Sequence, residues 1–569
     1  MERQMIGLVQ AAHRYYVEDV VPSLRCSTSR IPDTRGPQGV EWNLGDILSS
    51  GVLGKLTEMR TLRQVEVQSD LASANKNLSF GGRRLPDSTA HPALEETSEE
   101  AITHMMGRLA GRWHRDKKLS PVRSRKIRGR DVGILAYDGQ EFGRVDEKRP
   151  TPYYRKSYIV QEKEGTEKKK TKRSYWTCGV VHAVLTSGAA LVCIGQKSIL
   201  KNDENGAVLD LDRALCDTHR WLSPGSVLKL ADAKHGTTGF FRQQGDPYNK
   251  ERPGHYAMVA LKGTQKLIYQ EVKKVFDLRM ARDKPEATSD WEDAGHGREV
   301  MRQLWRAPTN RVVGLGADKA FKLEADWAIV DETQWSTIYQ VVVVKQTTRY
   351  KSEEAREKAR SQWSRRHREG QDESVRHVQD GDRDIHYRYF IVNVKPKDVA
   401  PEDLLFFVRK EWEVEVFHNQ LVQLMHLKAR DWVTSGQAPV VIAGLSAIAL
   451  NFLGLFRHRR LREDGWRYYI APSQLLQLFM VVVSAGALQP LLEEKARSRK
   501  TGDAEQLDDS ELMDLVRQRF TDRELELLVF CLKQYLGRLL GRFKARLTEM
   551  WTELKELGVR IRGAHLKMP

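Results

Sequence analysis

The sequence predicts an α/β fold, and three observations carry that expectation. Short apolar runs at Val132–Tyr137 (VGILAY) and Val227–Ala231 (VLKLA) each end on an acid, Asp138 and Asp232. A buried strand with a carboxylate at its C-terminal edge reads this way. Between them, Tyr175–Gln196 (YWTCGVVHAVLTSGAALVCIGQ) reads as two strands joined at Ser187-Gly188. Strand and helix signals then alternate, with a helix over Leu209–Leu222, a strand over Tyr256–Leu261 and an amphipathic helix over Lys266–Phe276. That order belongs to a sheet flanked by helices, not to a bundle.

The 569 residues divide by composition into five segments. Residues 1–130 read as helical, basic and DNA-facing, with helical apolar spacing at Trp42–Arg63 and Thr97–Leu119 and with Ser88-Thr89 placed to cap the following helix. Residues 131–285 form the first part of the α/β core. Residues 286–395 are a β-rich insertion, with strand signals at Glu299–Arg306, Thr337–Thr347 and Tyr389–Val394. Within the chain, the lysine-rich Glu162–Arg173 and the charged Tyr350–Asp384 read as exposed loops. Residues 396–460 complete the core, and 461–569 read as a helical tail for a partner or for oligomerisation, its last long stretch being Ser510–Leu557. Ala438–Phe456 is long and apolar enough to span a membrane. Its Pro439, Ser446 and Asn451, beside charged helical sequence, make it a buried core helix instead, so no membrane is expected.

The formal charge is +17, from 93 Lys and Arg against 76 Asp and Glu. Such an excess points to a polyanionic partner, most often nucleic acid. It is concentrated: Arg108–Arg130 carries ten Lys or Arg and one acid, Asp116, with further clusters at Arg360–Arg368 and Arg457–Arg462. Cys26, Cys178, Cys193, Cys216 and Cys531 show no CxxC spacing, which excludes a zinc ribbon or disulfide framework and fits a reducing cytosol. The N-terminal MERQMIGLVQAAHRYY has no apolar core of a signal peptide, so a cytoplasmic protein is expected.

The stretch that gives the strand-end acids a purpose is Val408–His418, VRKEWEVEVFH. Its alternation looks like strand, but it runs into helical spacing at Phe417, Leu421, Leu424 and Leu427, and we read it as a helix bringing an acidic side chain to a basic, polar site. Carboxylates at two strand ends and on one helix meet a physical need. Two divalent cations about 4 Å apart can act on one phosphodiester, one activating the attacking oxygen and the other stabilising the leaving oxygen. Mg²⁺ prefers oxygen ligands and keeps some waters, so three carboxylates suffice. An RNase H-like fold is built in this way.

The local sequence resembles the DDE insertion-sequence transposases, especially the H-repeat-associated group. Tyr137-Asp138-Gly139-Gln140 resembles the first-aspartate block, His182–Gln196 the strand pair after it, and Leu230-Ala231-Asp232-Ala233 the second-aspartate block. Tyr256–Phe276 (YAMVALKGTQKLIYQEVKKVF), Gly295-His296-Gly297-Arg298 followed by Arg302, Arg388-Tyr389-Phe390 and Val408–His418 follow in the family's order, with a weaker match at Leu85–Thr89. The similarity covers about residues 80–455.

The resemblance implies an RNase H-like catalytic core that cuts DNA at element ends and joins the 3′-OH to a target, using two Mg²⁺ or Mn²⁺ ions held by Asp138, Asp232 and Glu415. Lys262, Gln265, Arg298, Arg409 and His418 fall at positions implied to contact phosphate or flanking DNA. Double-stranded DNA, as terminal inverted repeats and as target, is the implied partner, with a dimer expected on DNA. Departures are Glu411 where a His or basic residue is expected, Val416 in place of Asn, and Asn419 where Trp is frequent. Glu415 is chosen over Glu413 and Glu411 on its spacing from Trp412. A catalytically silent, transposase-derived DNA-binding protein is the alternative reading.

Overall fold

The computed structural model describes residues 8, 11–31, 33, 35, 42–72, 80, 83–119, 123–164, 167–186, 188, 190–235, 237–261, 266–295, 297–308, 337–358, 361, 376–380, 383–427, 435–463, 470–480 and 482–483. The helical stretch expected at Ser510–Leu557 therefore lies outside the described residues.

The N-terminal segment contributes helices α1 (Val21–Thr28), α2 (Leu44–Leu56), α3 (Leu62–Ala72), α4 (Asp87–Glu96) and α5 (Glu99–Arg115). Side-chain caps start three of them: Asn43 accepts from the Asp46 amide, Thr61 from the Gln64 amide and Ser98 from the Ala101 amide. The cap expected from Ser88-Thr89 is not there. Pro86 takes the N-cap position with an extended backbone, and the two hydroxyl residues lie inside α4.

Strands β1 (Arg123–Ile127), β2 (Arg130–Val145), β3 (Tyr154–Glu164), β4 (Glu167–Leu185) and β5 (Val192–Ser198) come next, then α6 (Glu204–Thr218), β6 (Val227–Ala231), α7 (Thr238–Gln244), β7 (Tyr256–Ala260) and α8 (Lys266–Arg282). Five of these strands make the centre, in the order β5-β4-β2-β6-β7. β5, β4 and β2 are antiparallel neighbours, whereas β2, β6 and β7 run parallel. β6 and β7 are buried along their whole length. That is why they read as unbroken apolar runs, with helices covering both faces.

Residues 286–395 do not form a separate sheet. β8 (Ala287–Thr288), β9 (Glu292–Gly295), β10 (Arg298–Pro308), β11 (Gln340–Tyr350), β12 (Arg376–Asp380) and β13 (Arg383–Val392) extend the same sheet, joined to β7 by antiparallel β13. Two expected loops are corrected here. Glu162–Arg173 belongs to the β3–β4 ladder, which is in register from Tyr154↔Thr177 to Glu164↔Glu167. Tyr350–Asp384 contains β12 and the start of β13. Charge set the loop reading in both, yet strand pairing is made by the backbone and tolerates charged side chains.

Helices α9 (Pro401–Glu411), α10 (Glu413–Gln423) and α11 (Ala438–Leu455) close the described core. The apolar window of α11 and its continuation is 94% buried. A helix apolar all round belongs in such a place.

α11 also protects an open sheet edge. Among the described strands β5 pairs only with β4, so its outer backbone needs other partners. Asn451 of α11 accepts from the Cys193 amide at 2.7 Å and donates to the Cys193 carbonyl at 2.6 Å. Thr103 of α5 donates to the Gln196 carbonyl, and Glu99 accepts from the Ser198 amide and hydroxyl. Asn451→Leu strands two buried backbone groups of Cys193 and is expected to cost about 2–4 kcal/mol. A denaturant midpoint unchanged from wild type would contradict this account of the edge.

Candidate active site

The two acids are brought together by register, but only Asp232 closes its strand: β2 does not end at Asp138 as its apolar run suggested, and continues to Val145 in its pairing with β4. β2 and β6 pair in parallel, Gly133↔Val227 through Tyr137↔Ala231, so Asp138 and Asp232 are the next residues on neighbouring chains. Adjacent strands lie about 4.8 Å apart. Side chains alternate along a strand, and Tyr137 marks the helix α6 side: its hydroxyl donates to Asp212 at 2.5 Å. On that same side Lys229 of β6 pairs with Asp212 at 2.7 Å, fully buried. Both strands are thus pinned to one carboxylate of α6, and Asp138 turns to the opposite face, where α10 packs on β2.

Helix α6 begins beside the acids. Asp203 caps it, accepting from the Gly206 amide at 2.8 Å, and Glu204 follows in its first turn. A Cβ on Gly139 would lie 2.6 Å from the Glu204 side chain, so glycine after Asp138 is what permits this approach. Glu204 binds Lys234 at 2.8 Å and His235 at 3.3 Å. Burial works against its charge, but His235 and Lys234 outweigh it and bring the Glu204 carboxyl down to about 2. For Lys234 burial is likewise outweighed, by Glu204 and then by Asp232 and Asp138, and its ammonium is held above the ordinary lysine value. Lys234 is thus paired with Glu204 and is within electrostatic reach of both aspartates.

The helix expected over Val408–His418 is two helices, broken at Trp412. The break separates the glutamates. Glu411, at the end of α9, is buried and pairs with Arg388 of β13 at 2.9 Å. Burial raises its carboxyl to about 7 against the pull of Arg388, and the charges of Asp232 and Glu415 add to the rise. Glu413 turns away, pairing with Lys410 at 2.5 Å and lining a cavity of about 300 Å³ with α11 residues Leu450 and Gly454. Glu415 is exposed on α10.

The residues expected to contact phosphate or flanking DNA are placed differently from one another. Arg409 reaches Glu292 at 2.6 Å, and Arg302 binds the other oxygen of that carboxylate at 3.0 Å. Arg298 opens β10, after a turn in which Gly297 has φ +69°, a conformation suited to glycine. Lys262 and Gln265 lie outside the described residues. His418 is only 4% exposed, so a phosphate contact is at odds with its placement. Its Nδ1 lies 3.4 Å from Asp138 Oδ2 and its Nε2 3.1 Å from His182 Nδ1. Glu204, Lys234, Arg388 and His182 were not singled out from sequence. Lys234 stands two residues after Asp232, while Arg388 and His182 open quoted blocks, so proximity to the motifs was the available signal.

Among the described residues, no group of three or more His, Cys, Asp or Glu side chains is placed to hold a metal ion. The donor chemistry still suits a hard cation: Asp138, Asp232 and Glu415 offer carboxylate oxygen only.

No family model matches the sequence, and no curated protein matches it. Solved structures similar in outline include a piggyBac transposase synaptic complex with hairpin DNA, determined by electron cryo-microscopy. The likeness covers 90% of this chain and 85% of that one, at 10% identity and a TM-score of 0.36. A likeness so loose does not establish a shared fold.

Because Glu204 is depressed below its unfolded value near 4.5, its contribution to stability is present above that pH and lost as pH falls toward 2. Glu204→Gln is expected to destabilise by up to about 3 kcal/mol at pH 7. The gap to wild type should close in acid. A gap constant from pH 7 to pH 3 would contradict the assignment.

Proposed function

We propose that this chain is a DDE-type DNA transposase with an RNase H-like core, acting by metal-dependent phosphodiester cleavage and strand transfer. The observation that carries the reading is the parallel register Tyr137↔Ala231, which sets Asp138 and Asp232 side by side where the β2–β6 ladder ends. The central order β5-β4-β2-β6-β7, antiparallel on one side and parallel on the other, supports an RNase H-like core. The ordered sequence blocks support the chemistry.

On this reading Asp138, Asp232 and Glu415 hold Mg²⁺ or Mn²⁺. When bound, two such ions would activate the attacking oxygen and stabilise the leaving oxygen of the phosphodiester. The chain's own residues supply the frame. Gly139 donates its amide to Asp138 Oδ1 at 2.9 Å, fixing one edge of that carboxylate. Arg388 balances Glu411, so that this buried acid does not stand uncompensated beside Asp232 and Glu415. Lys234 offsets the paired aspartates from the α6 side. Duplex DNA, as element ends and as target, is the proposed substrate, with a dimer forming on it.

One observation favours the catalytically silent alternative: the described side chains hold no ready group of three metal ligands. The two readings separate on duplexes cut from the DNA flanking the reading frame. The active reading expects nicking in Mn²⁺, reduced about 100-fold or more by Asp138→Asn or Asp232→Asn, a loss on the scale of removing one transition-state stabiliser. Wild-type protein that binds these duplexes yet never nicks them would leave the silent reading. Affinity for duplex DNA should also fall steeply with salt, as phosphates are neutralised by Lys and Arg. A flat salt dependence would remove DNA as the partner.

A further inference from the structure

The lysine-rich β3–β4 hairpin runs past the rest of the sheet. β4 pairs with β2 only from Trp176 onward, and among the described strands its residues 167–175 pair with β3 alone. The register is unbroken from Tyr154↔Thr177 to Glu164↔Glu167, so a two-stranded ribbon of about 30 Å leaves the sheet.

Alternation along an unbroken ladder assigns each position to one of two faces. On one face fall Arg155, Lys163, Lys168, Lys170 and Lys172, with no acid. On the other fall Lys156, Lys169 and Arg173, with all of the ribbon's acids, Glu162, Glu164 and Glu167. Charge is therefore balanced on one side and wholly positive on the other. Contacts at the base agree with the division. Tyr154 donates to Glu141 of β2 at 3.3 Å and Lys156 pairs with the same carboxylate, both from the balanced face. Arg155, on the basic face, donates to the Ser174 hydroxyl at 3.0 and 2.9 Å, and Lys172 is exposed. Where the β2–β4 register shifts, the extra residue is on β2, so alternation along β4 continues to His182, the partner of Asp138. At the ribbon's base, the basic face is thus the face of the sheet that carries Asp138.

The segregation is the informative feature. Lysines that only keep an open strand edge soluble serve equally well on either face. Collected on one face they repel one another, and directly opposed like charges such as Lys163↔Lys168 are destabilising. A polyanion laid along that face offsets the repulsion. A two-stranded ribbon fits the major groove of B-form DNA, about 12 Å wide, whereas the major groove of A-form RNA is deep and narrow.

We propose that the basic face of the β3–β4 ribbon docks on duplex DNA, its lysines neutralising phosphates. The proposal rests on the reading that DNA is the partner and requires no metal ion.

The test is duplex binding by the full-length chain in EDTA, followed by fluorescence anisotropy across a salt series, with DNA from the flank of the reading frame. Two double variants remove the same charge: Lys168→Gln with Lys170→Gln from the basic face, and Lys169→Gln with Arg173→Gln from the other. Each phosphate contact contributes about 0.9 to the slope of log affinity against log salt. The first double is expected to flatten that slope by about 2 and to weaken binding roughly 10–100-fold at about 0.1 M salt. The second should stay within about 2-fold of wild type, with its slope unchanged. Should glutamine loosen the ribbon, as a lowered thermal midpoint would reveal, the strand-forming pair Lys168→Thr with Lys170→Thr carries the same expectation.

Equal weakening by both doubles would reduce the effect to net charge and overturn the proposal. Binding unchanged in both would overturn it too, while leaving DNA as the partner. A preference for RNA of the same length, lost in the first double, would give the face an RNA partner instead. No duplex binding by wild type would overturn both the proposal and the reading beneath it.

Discussion

The arrangement depends on one pairing, the parallel ladder between β2 and β6 in the register Tyr137↔Ala231. A slip by one residue would turn every side chain of one strand to the other face. The network around Asp212 opposes such a slip, because Tyr137 and Lys229 both have to reach it. The buried polar groups behind the sheet thus fix which residues emerge at its end. Once that is fixed, two aspartates necessarily stand side by side, and the cost of their proximity must be met locally.

Charge balance around the acids follows from that cost. Lys234 is paired with Glu204 within electrostatic reach of Asp232 and Asp138, and Arg388 sits against Glu411. These cations are committed to carboxylates, as is Arg409 to Glu292. Arg388 arrives on β13, so the β-rich segment is part of the acidic site's construction and not an appendage to the sheet. Burial pushes the carboxyl of Glu411 up to about 7, and the charges of Asp232 and Glu415 add to the rise.

How much of this was legible in the sequence depended on whether the signal was local. Buried parallel strands are continuous apolar runs whatever they pair with, so VGILAY-Asp138 and VLKLA-Asp232 could be read directly. The burial of α11 was legible because Asn451 and Pro439 in an apolar helix suit a protein core better than lipid. The break at Trp412 was not, because the alternating glutamates satisfy strand and helix patterns equally and only packing separates Glu411 from Glu415. The charged β3–β4 hairpin was hidden by composition, since ladder pairing leaves no polarity signature. His182 and His418 lie 236 residues apart, and nothing in either neighbourhood announces the other.

The most direct test of the central claim is anomalous diffraction from crystals of the full-length protein soaked in Mn²⁺. The account predicts a peak where the β2–β6 ladder ends, bound by Asp138 and Asp232, with the exposed Glu415 side chain turned in to join them. Full occupancy elsewhere, with no peak between the two aspartates, would contradict it.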